Sequence, residues 1–398
     1  MNGRAQLSDA AAGVLHEVRR VLKEGVGAAT LPEDDRAPLV LYGAGRLGSR
    51  TLAGARAEGR TVLAFTDAAP HLWGTSHEGV PVLSPQDAVA RFGQTALFVV
   101  AVWRTEGGHT FGETRALLSR LGCSSVVSFV PLYWRYAERF LPYLTIDRPD
   151  KVVAARDDVE RAAALWADEA SRCQYVAQLR WRLQADFDAV TEACAGEQYF
   201  PPDLVRLRPG EVFVDCGAYD GDTLRSLLSL CPDFAAAHSF EPDPASFAAL
   251  ATYRAGLPSE VAARVALHAV ATSDSARVAK FAGQGSLSSG LHAAGSHTVT
   301  CATLDGVLAG VTPTFLKLDV EGAEAATLRG AERIIRRHRP VIAAAAYHCQ
   351  SDLWDLPLQL AALCVGYRFY LRAHQAEGFE LVCYAVPEER VVAGAQCP

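Results

Sequence analysis

Three stretches of the chain carry residues whose types and order could do chemistry. EVFVDCGAYDGDT at 211–223 runs an apolar strand into an acid and a glycine turn. HSFEPDP at 238–244 ends a strand in Glu-Pro, and TFLKLDVEGAE at 314–324 ends one in a group of carboxylates. Aligned along the carboxyl ends of a doubly wound parallel sheet, such segments hold a nucleoside against a reacting centre. Asp215 closes the first strand, and Gly217, Ala218, Tyr219 and Gly221 form a turn where backbone can approach a ligand with no Cβ in the way. Asp222 and Thr223 open the following helix, whose free amides and positive end suit a ligand carboxylate. Glu241, about two dozen positions past the glycine turn, is placed to accept two hydrogen bonds from ribose hydroxyls, and Pro242 stops the strand behind it. Val270 and Ala271, ending the stretch RVALHAVA, are candidates to flank the base.

The reacting side lies in the third stretch and the strand after it. Strand alternation puts Lys317 and Asp319 on one face. His348 follows Tyr347 at the end of VIAAAAYH, and imidazole titrates near neutral pH, which suits a general base. Asp319 and His348 are the candidate bases, with Lys317 beside them as a third catalytic candidate. Tyr199, Tyr347, His348, Trp354 and His374 are candidates to contact an acceptor; Trp354 reads more readily as packing and His374 as an exposed turn residue. Asp319, Glu321, Glu324 and His348 also offer the donor set of a divalent metal ion. Acids at a helix start stabilise its dipole, which explains Glu321 and Glu324 without an ion, so spacing leaves both readings open.

Together QYF (198–200), VFVDCGAYDGDT, FEPDP, GSLSSGL, FLKLDVEGAE with the following LRGAE, and AYHCQSDLWDLP resemble the FkbM methyltransferases over roughly residues 195–387. The resemblance implies a class I, Rossmann-like, seven-stranded α/β methyltransferase sheet and S-adenosyl-L-methionine as cofactor. The implied reaction is O-methylation of a hydroxyl on a sugar or natural product, and so a part in natural product biosynthesis. HCQ stands where a lysine or proline often follows the Tyr-His pair, which bears on substrate rather than reaction class. Methyl transfer from a sulfonium needs an in-line nucleophile, a water-poor pocket and a proton acceptor for the alcohol.

The elements that must position these residues fall into four segments. An N-terminal helix is expected within residues 1–30, with Ser8 as N-cap and Ala11, Val14, Leu15, Val18, Val21 and Leu22 at helical spacing up to Gly25. A small parallel, Rossmann-like α/β domain follows over 36–145, with strands at 39–43, 62–67, 96–102 and 125–130 and a loop containing GVPVLSP. Gly43, Gly45 and Gly48 form GxGxxG directly after a strand, and Asp67 ends the next one, which is the dinucleotide fingerprint in context. The module resembles small Rossmann-like domains found beside sugar-modifying enzymes. It is expected either to bind a nucleotide or nucleotide-sugar or to serve packing and dimerisation. Two helices should make a connector over 150–198, and the methyltransferase domain should run from 199 to 390, closed by antiparallel strands at 367–372 and 379–386. The rival readings are an NAD(P)- or nucleotide-sugar-dependent oxidoreductase or epimerase centred on Gly43 to Asp67, and a non-catalytic nucleotide-binding scaffold.

Composition narrows the partners. With 398 residues, half of them apolar, the chain can bury more than one core. A net charge of −7 with no long Lys/Arg run argues against nucleic acid, and the resemblance to the FkbM methyltransferases implies a small-molecule acceptor. No stretch approaches the roughly twenty apolar residues a bilayer requires, so a soluble, cytoplasmic protein is expected; a homo-oligomer is left open. The ten cysteines are scattered without a CxxC pair, and Cys216, Cys364 and Cys383 sit in apolar runs as buried thiols do.

Overall fold

The computed structural model describes residues 2–26, 31, 36–103, 110–191, 193, 194, 196–282, 290, 291 and 297–392. Helix α1 (Asn2–Glu24) begins before Ser8, so that serine lies inside the helix rather than capping it. Its buried residues Val14, Val18, Val21 and Leu22 join the core of the C-terminal half and the connector.

The first sheet has six strands in the order β3-β4-β2-β1-β5-β6. They are β1 (Leu39–Tyr42), β2 (Val62–Thr66), β3 (Ser76–His77), β4 (Val80–Leu83), β5 (Leu97–Val100) and β6 (Val126–Ser128). All pairings are parallel except the β3–β4 hairpin. The wholly apolar runs of β1 and β5 are buried throughout, as central parallel strands covered on both faces must be. GVPVLSP, expected as loop, contains β4, because Val80 and Val82 point inward on either side of an exposed Pro81. The strand expected over 125–130 stops at Ser128, and Phe129–Arg135 is helical.

Where two connector helices were expected there are three, α2 (Pro149–Ala154), α3 (Arg156–Ala163) and α4 (Glu169–Gln184), followed by a 3-10 turn at Phe187–Val190. Asp168 caps α4 by accepting from the Ser171 amide at 2.9 Å.

The second large sheet has seven strands in the order β16-β17-β15-β14-β7-β8-β9. They are β7 (Val212–Cys216), β8 (Ala236–Phe240), β9 (Val265–His268), β14 (Phe315–Leu318), β15 (Val341–Ala345), β16 (Tyr367–Ala373) and β17 (Leu381–Pro387). Only β17 runs against its neighbours. The chain winds outward from β7 through β8 to β9, then crosses to β14 on the other side of β7, leaving a topological switch point between β7 and β14. In doubly wound sheets ligands bind outside the strand ends at that point.

Between β9 and β14 lies a small four-stranded sheet, β10 (Ala271–Thr272), β11 (Arg277–Ala282), β12 (Gly290–Leu291) and β13 (His297–Ala302), which had no counterpart in the sequence reading. The serine-containing stretch GSLSSGL falls largely outside the described residues.

Candidate active site

A cleft of about 940 Å³, open to solvent, lies over the carboxyl ends of β7, β8 and β14. Gly217, Tyr219, Asp222, Glu241, Pro242, Val270, Ala271, Lys317, Asp319, Glu321, Tyr199 and Tyr347 line it. Two of the segments forming it pass almost in contact. A Cβ on Gly217 would sit 1.8 Å from the Asp319 carbonyl oxygen, and Gly217 has φ +84°, so only glycine fits there. The non-glycine residues Tyr219, Glu321 and Glu380 also take left-handed backbone, with φ of 46°, 53° and 48°. All three face the cleft, where strained conformations concentrate when the surroundings enforce them.

Glu241 ends β8 and is 7% exposed. One carboxylate oxygen accepts from the Tyr219 amide at 2.8 Å and the other from the Asp243 amide at 2.7 Å. Each oxygen retains a second lone pair. Burial pushes its carboxyl up to about 7 against those two hydrogen bonds. Asp222 begins the helix Asp222–Leu230 and faces the cleft, putting an acid where a ligand carboxylate was expected.

Asp215 and Lys317 are register partners on β7 and β14. Lys317 is 2% and Asp215 0% exposed; the ammonium lies 3.0 Å from Asp215 Oδ1 and donates to the Gly217 carbonyl at 2.6 Å. Burial alone would strip its proton, but the charges of Asp215, Asp319 and Asp222 outweigh it and hold Lys317 above the ordinary lysine range. Lys317 is therefore a buried cation bracing the switch point, not a proton acceptor. Burial raises the Asp215 carboxyl to about 6, against the pull of the ammonium; the geometry favours the ionised pair. Ala218, Gly221 and Thr223 lie behind the lining, in the turn and the first helical turn, with Ala218 in the core.

The side of the cleft around Asp319 is a dense polar cluster. Asp319 Oδ2 accepts from the Tyr199 hydroxyl at 2.8 Å. His348, 7% exposed, stands just behind the lining, with Nδ1 2.9 Å from Glu324 Oε1. Its Nε2 lies 3.4 Å from Asp319 Oδ1 and 3.6 Å from Glu321 Oε2. Burial would lower its pKa, but Glu324, Asp319 and Glu321 raise it well above the ordinary histidine value. His348 thus holds its proton at neutral pH, which corrects its reading as a base. Glu321 is pushed up to about 8, by burial first.

Two expected acceptor contacts are elsewhere. Trp354, 4% exposed, packs in the core. His374 is bonded through Nε2 to the Tyr384 hydroxyl at 2.7 Å and is lowered to about 4 by burial and then by Arg372, so it is neutral and outside the lining. In their place the cleft recruits Gln198, Phe240, Thr272, Phe281 and Glu380. Glu380 comes from the hairpin between β16 and β17 and bonds Gln198; the acid-rich turn AEGFE was its only mark in the sequence.

In the N-terminal sheet, Gly43, Gly45 and Gly48 make the turn after β1, and a Cβ on Gly48 would stand 1.9 Å from the Gly43 carbonyl oxygen. Asp67 accepts from the Ala44 amide at 2.8 Å with one oxygen and from Ala69 at 2.9 Å with the other. It braces the glycine turn, a use that the fingerprint spacing does not reveal.

A cleft at the switch point of a seven-stranded, mostly parallel sheet places the C-terminal half among the doubly wound α/β enzymes. Within that class, residues 215–369 match the methyltransferase FkbM domain, so the chain carries an FkbM methyltransferase domain there. The crystal structure of a methyltransferase FkbM from Methylobacillus flagellatus KT shares the fold with a TM-score of 0.74 at 19% identity, covering 96% of this chain and 98% of that one. The likeness extends over both halves. A candidate rRNA-methylase from Clostridium thermocellum, at TM-score 0.31 and 11% identity over 46% of this chain and 89% of that one, bears on nothing further. No curated protein matches the chain.

Proposed function

We propose that the chain is an S-adenosyl-L-methionine-dependent methyltransferase of class I type acting on a hydroxyl of a sugar or secondary metabolite. The observation that carries this reading is Glu241, a buried carboxylate at the end of β8, fixed by two backbone amides with a lone pair free on each oxygen beside an open cleft.

The residues fit the cofactor. Glu241 would hold its ribose, the bare backbone of Gly217 leaves room beside it, and Phe240, Val270 and Ala271 offer an apolar slot for the base. Asp222 suits the ammonium of its amino acid end better than the carboxylate. When bound, the cofactor supplies an electrophilic methyl group on sulfur.

The chain's own groups bind and orient the acceptor. Asp319, positioned by the Tyr199 hydroxyl, is the carboxylate that would take a hydroxyl proton, and Tyr347 forms the adjacent wall. His348 stands behind them, with Nε2 3.4 Å from Asp319 Oδ1 and 3.6 Å from Glu321 Oε2.

Isothermal titration with S-adenosyl-L-methionine, paired with transfer of labelled methyl to a panel of glycosylated and polyketide hydroxyl acceptors, tests the reading. Micromolar binding that weakens about 10- to 100-fold in Glu241→Gln, the cost of hydrogen bonds to a charged group, is expected. No binding by the folded protein would overturn it.

A further inference from the structure

We propose that the end of β14 and the start of the segment after β15 form a divalent cation site, ligated by Asp319 Oδ1, Glu321 Oε2 and His348 Nε2, whose open positions take two neighbouring oxygens of the acceptor. The cation site stands on its own geometry; its use in acceptor binding rests on the methyltransferase reading.

Four observations carry it. First, Nε2 stands 3.4 Å and 3.6 Å from the two carboxylate oxygens. These contacts are long for charge-assisted hydrogen bonds, yet two ligands of one ion held at about 2.1 Å stand roughly 3.0–3.4 Å apart. Second, Nε2 is buried and has no hydrogen-bond partner, and the His348 side chain is 4% exposed. A buried ring nitrogen left unpaired and aimed between two carboxylates calls for a ligand.

Third, the other ring nitrogen is already in place. Nδ1 pairs with Glu324 Oε1, which also accepts from the Val320 amide at 2.8 Å, so the carboxylate is anchored and the ring cannot turn. A carboxylate behind a histidine, directing its free nitrogen at a metal, is the usual outer-shell arrangement. Fourth, carboxyl groups outnumber the cations near them. Asp319, Glu321, Glu324 and Glu380 converge on one imidazole, while the nearest ammonium, that of Lys317, is committed to Asp215 and the Gly217 carbonyl.

Two carboxylates and an imidazole suit Mn²⁺ or Zn²⁺ better than an all-oxygen ion. On binding, the ion replaces the Nε2 proton, which passes to solvent. The acceptor class that follows carries vicinal hydroxyls, one of which is made more acidic. Its oxygen forms the new bond to methyl as the carbon–sulfur bond breaks with the electron pair staying on sulfur, and the hydroxyl proton passes to Asp319 Oδ2, which the ion leaves free, and from there to solvent through the cleft.

The full chain, treated with chelator and dialysed, would be titrated with MnCl₂, followed by calorimetry and by loss of the free Mn²⁺ paramagnetic resonance signal, and with ZnCl₂, followed by calorimetry. Each variant would also be titrated with S-adenosyl-L-methionine to establish that it is folded. One saturable ion per chain is expected, weakened about 10- to 100-fold in Glu324→Gln through the lost orientation of the ring, and abolished in His348→Ala and Glu321→Gln. Absence of saturable Mn²⁺ and Zn²⁺ binding in protein that binds the cofactor would overturn the site, as would binding unchanged in both His348→Ala and Glu321→Gln. Mn²⁺ binding without any cofactor binding would leave the cation site standing and remove the methyltransferase reading instead.

Discussion

At the scale of single residues, burial decides what each ionisable group in the cleft can do. Glu241 and His348 sit about as deep, yet burial leaves the glutamate half-titrated near neutrality, while neighbouring carboxylates keep the histidine charged. The consequence for Glu241 is a pH dependence of cofactor affinity. Its carboxyl is raised to about 7, so below that pH it carries a proton and loses acceptor capacity toward a ribose. Affinity for S-adenosyl-L-methionine should therefore fall about tenfold from pH 8 to pH 6, the change in ionised fraction, and become nearly flat in Glu241→Gln. Calorimetric titrations at the two pH values decide it; an equal slope in both proteins would remove Glu241 from the ribose. Tyr199→Phe deletes only the hydroxyl that positions Asp319, so it should lower kcat about tenfold with cofactor affinity unchanged. A loss confined to cofactor affinity would argue against Asp319 as proton acceptor.

At the scale of elements, the switch point is held by the pairing of β7 with β14. Asp215 and Lys317 face each other in register, both fully buried, and the ammonium also ties down the Gly217 carbonyl at the start of the turn. Removing one partner of such a pair costs about 3–5 kcal/mol because the other charge stays buried. Lys317→Met should thus lower the thermal midpoint of the C-terminal transition by about 10 °C. Lys317→Met combined with Asp215→Leu should recover more than half of that loss, since apolar groups can replace a buried pair. Scanning calorimetry of the three variants checks the order; a double variant no more stable than Lys317→Met would mean that the pair acts through something other than charge. Gly217 belongs to the same junction, since any side chain there meets the Asp319 carbonyl.

At the scale of the whole molecule, the two halves are joined by the hairpin between β16 and β17. Glu377 in that hairpin accepts from the Phe111 amide, at the first turn of the helix Phe111–Arg120 in the N-terminal half, and its carbonyl accepts from Trp103 Nε1 at 3.0 Å. Around them Trp103 packs against Phe129, Tyr143, Trp181 and Phe379, rings drawn from both halves and the connector. Glu380, a cleft residue, belongs to the same hairpin, so the joint between the halves and the wall of the cleft share one element. Burial raises the Glu377 carboxyl to about 7 from an ordinary 4.5. A carboxyl whose folded value is raised binds its proton more tightly in the folded state, so its contribution is complete below about 4.5 and is lost as pH climbs through about 7. The thermal midpoint should drop between pH 5 and pH 8, and drop less in Glu377→Gln, which keeps an acceptor for the Phe111 amide; an unchanged pH slope in that variant would sink the assignment.

Much of this was legible in the chain itself. Apolar strands ending in Asp215, Glu241 and Asp319 announced the sheet and its carboxyl edge, because buried parallel strands need continuous apolar runs and the breaks in them mark the strand ends. The glycine at 217 announced a turn with no Cβ in the way, although the backbone that comes close to it is that of Asp319. What tertiary structure alone decided is which groups meet. Glu380 enters the cleft across the β16–β17 hairpin, Trp354 turns into the core, Asp67 spends its oxygens on its own turn, and His348 is kept charged by acids from β14 and the helix behind it. Pattern along a chain reports the period of burial, whereas the charge state and partners of a side chain depend on distances between segments that only packing sets.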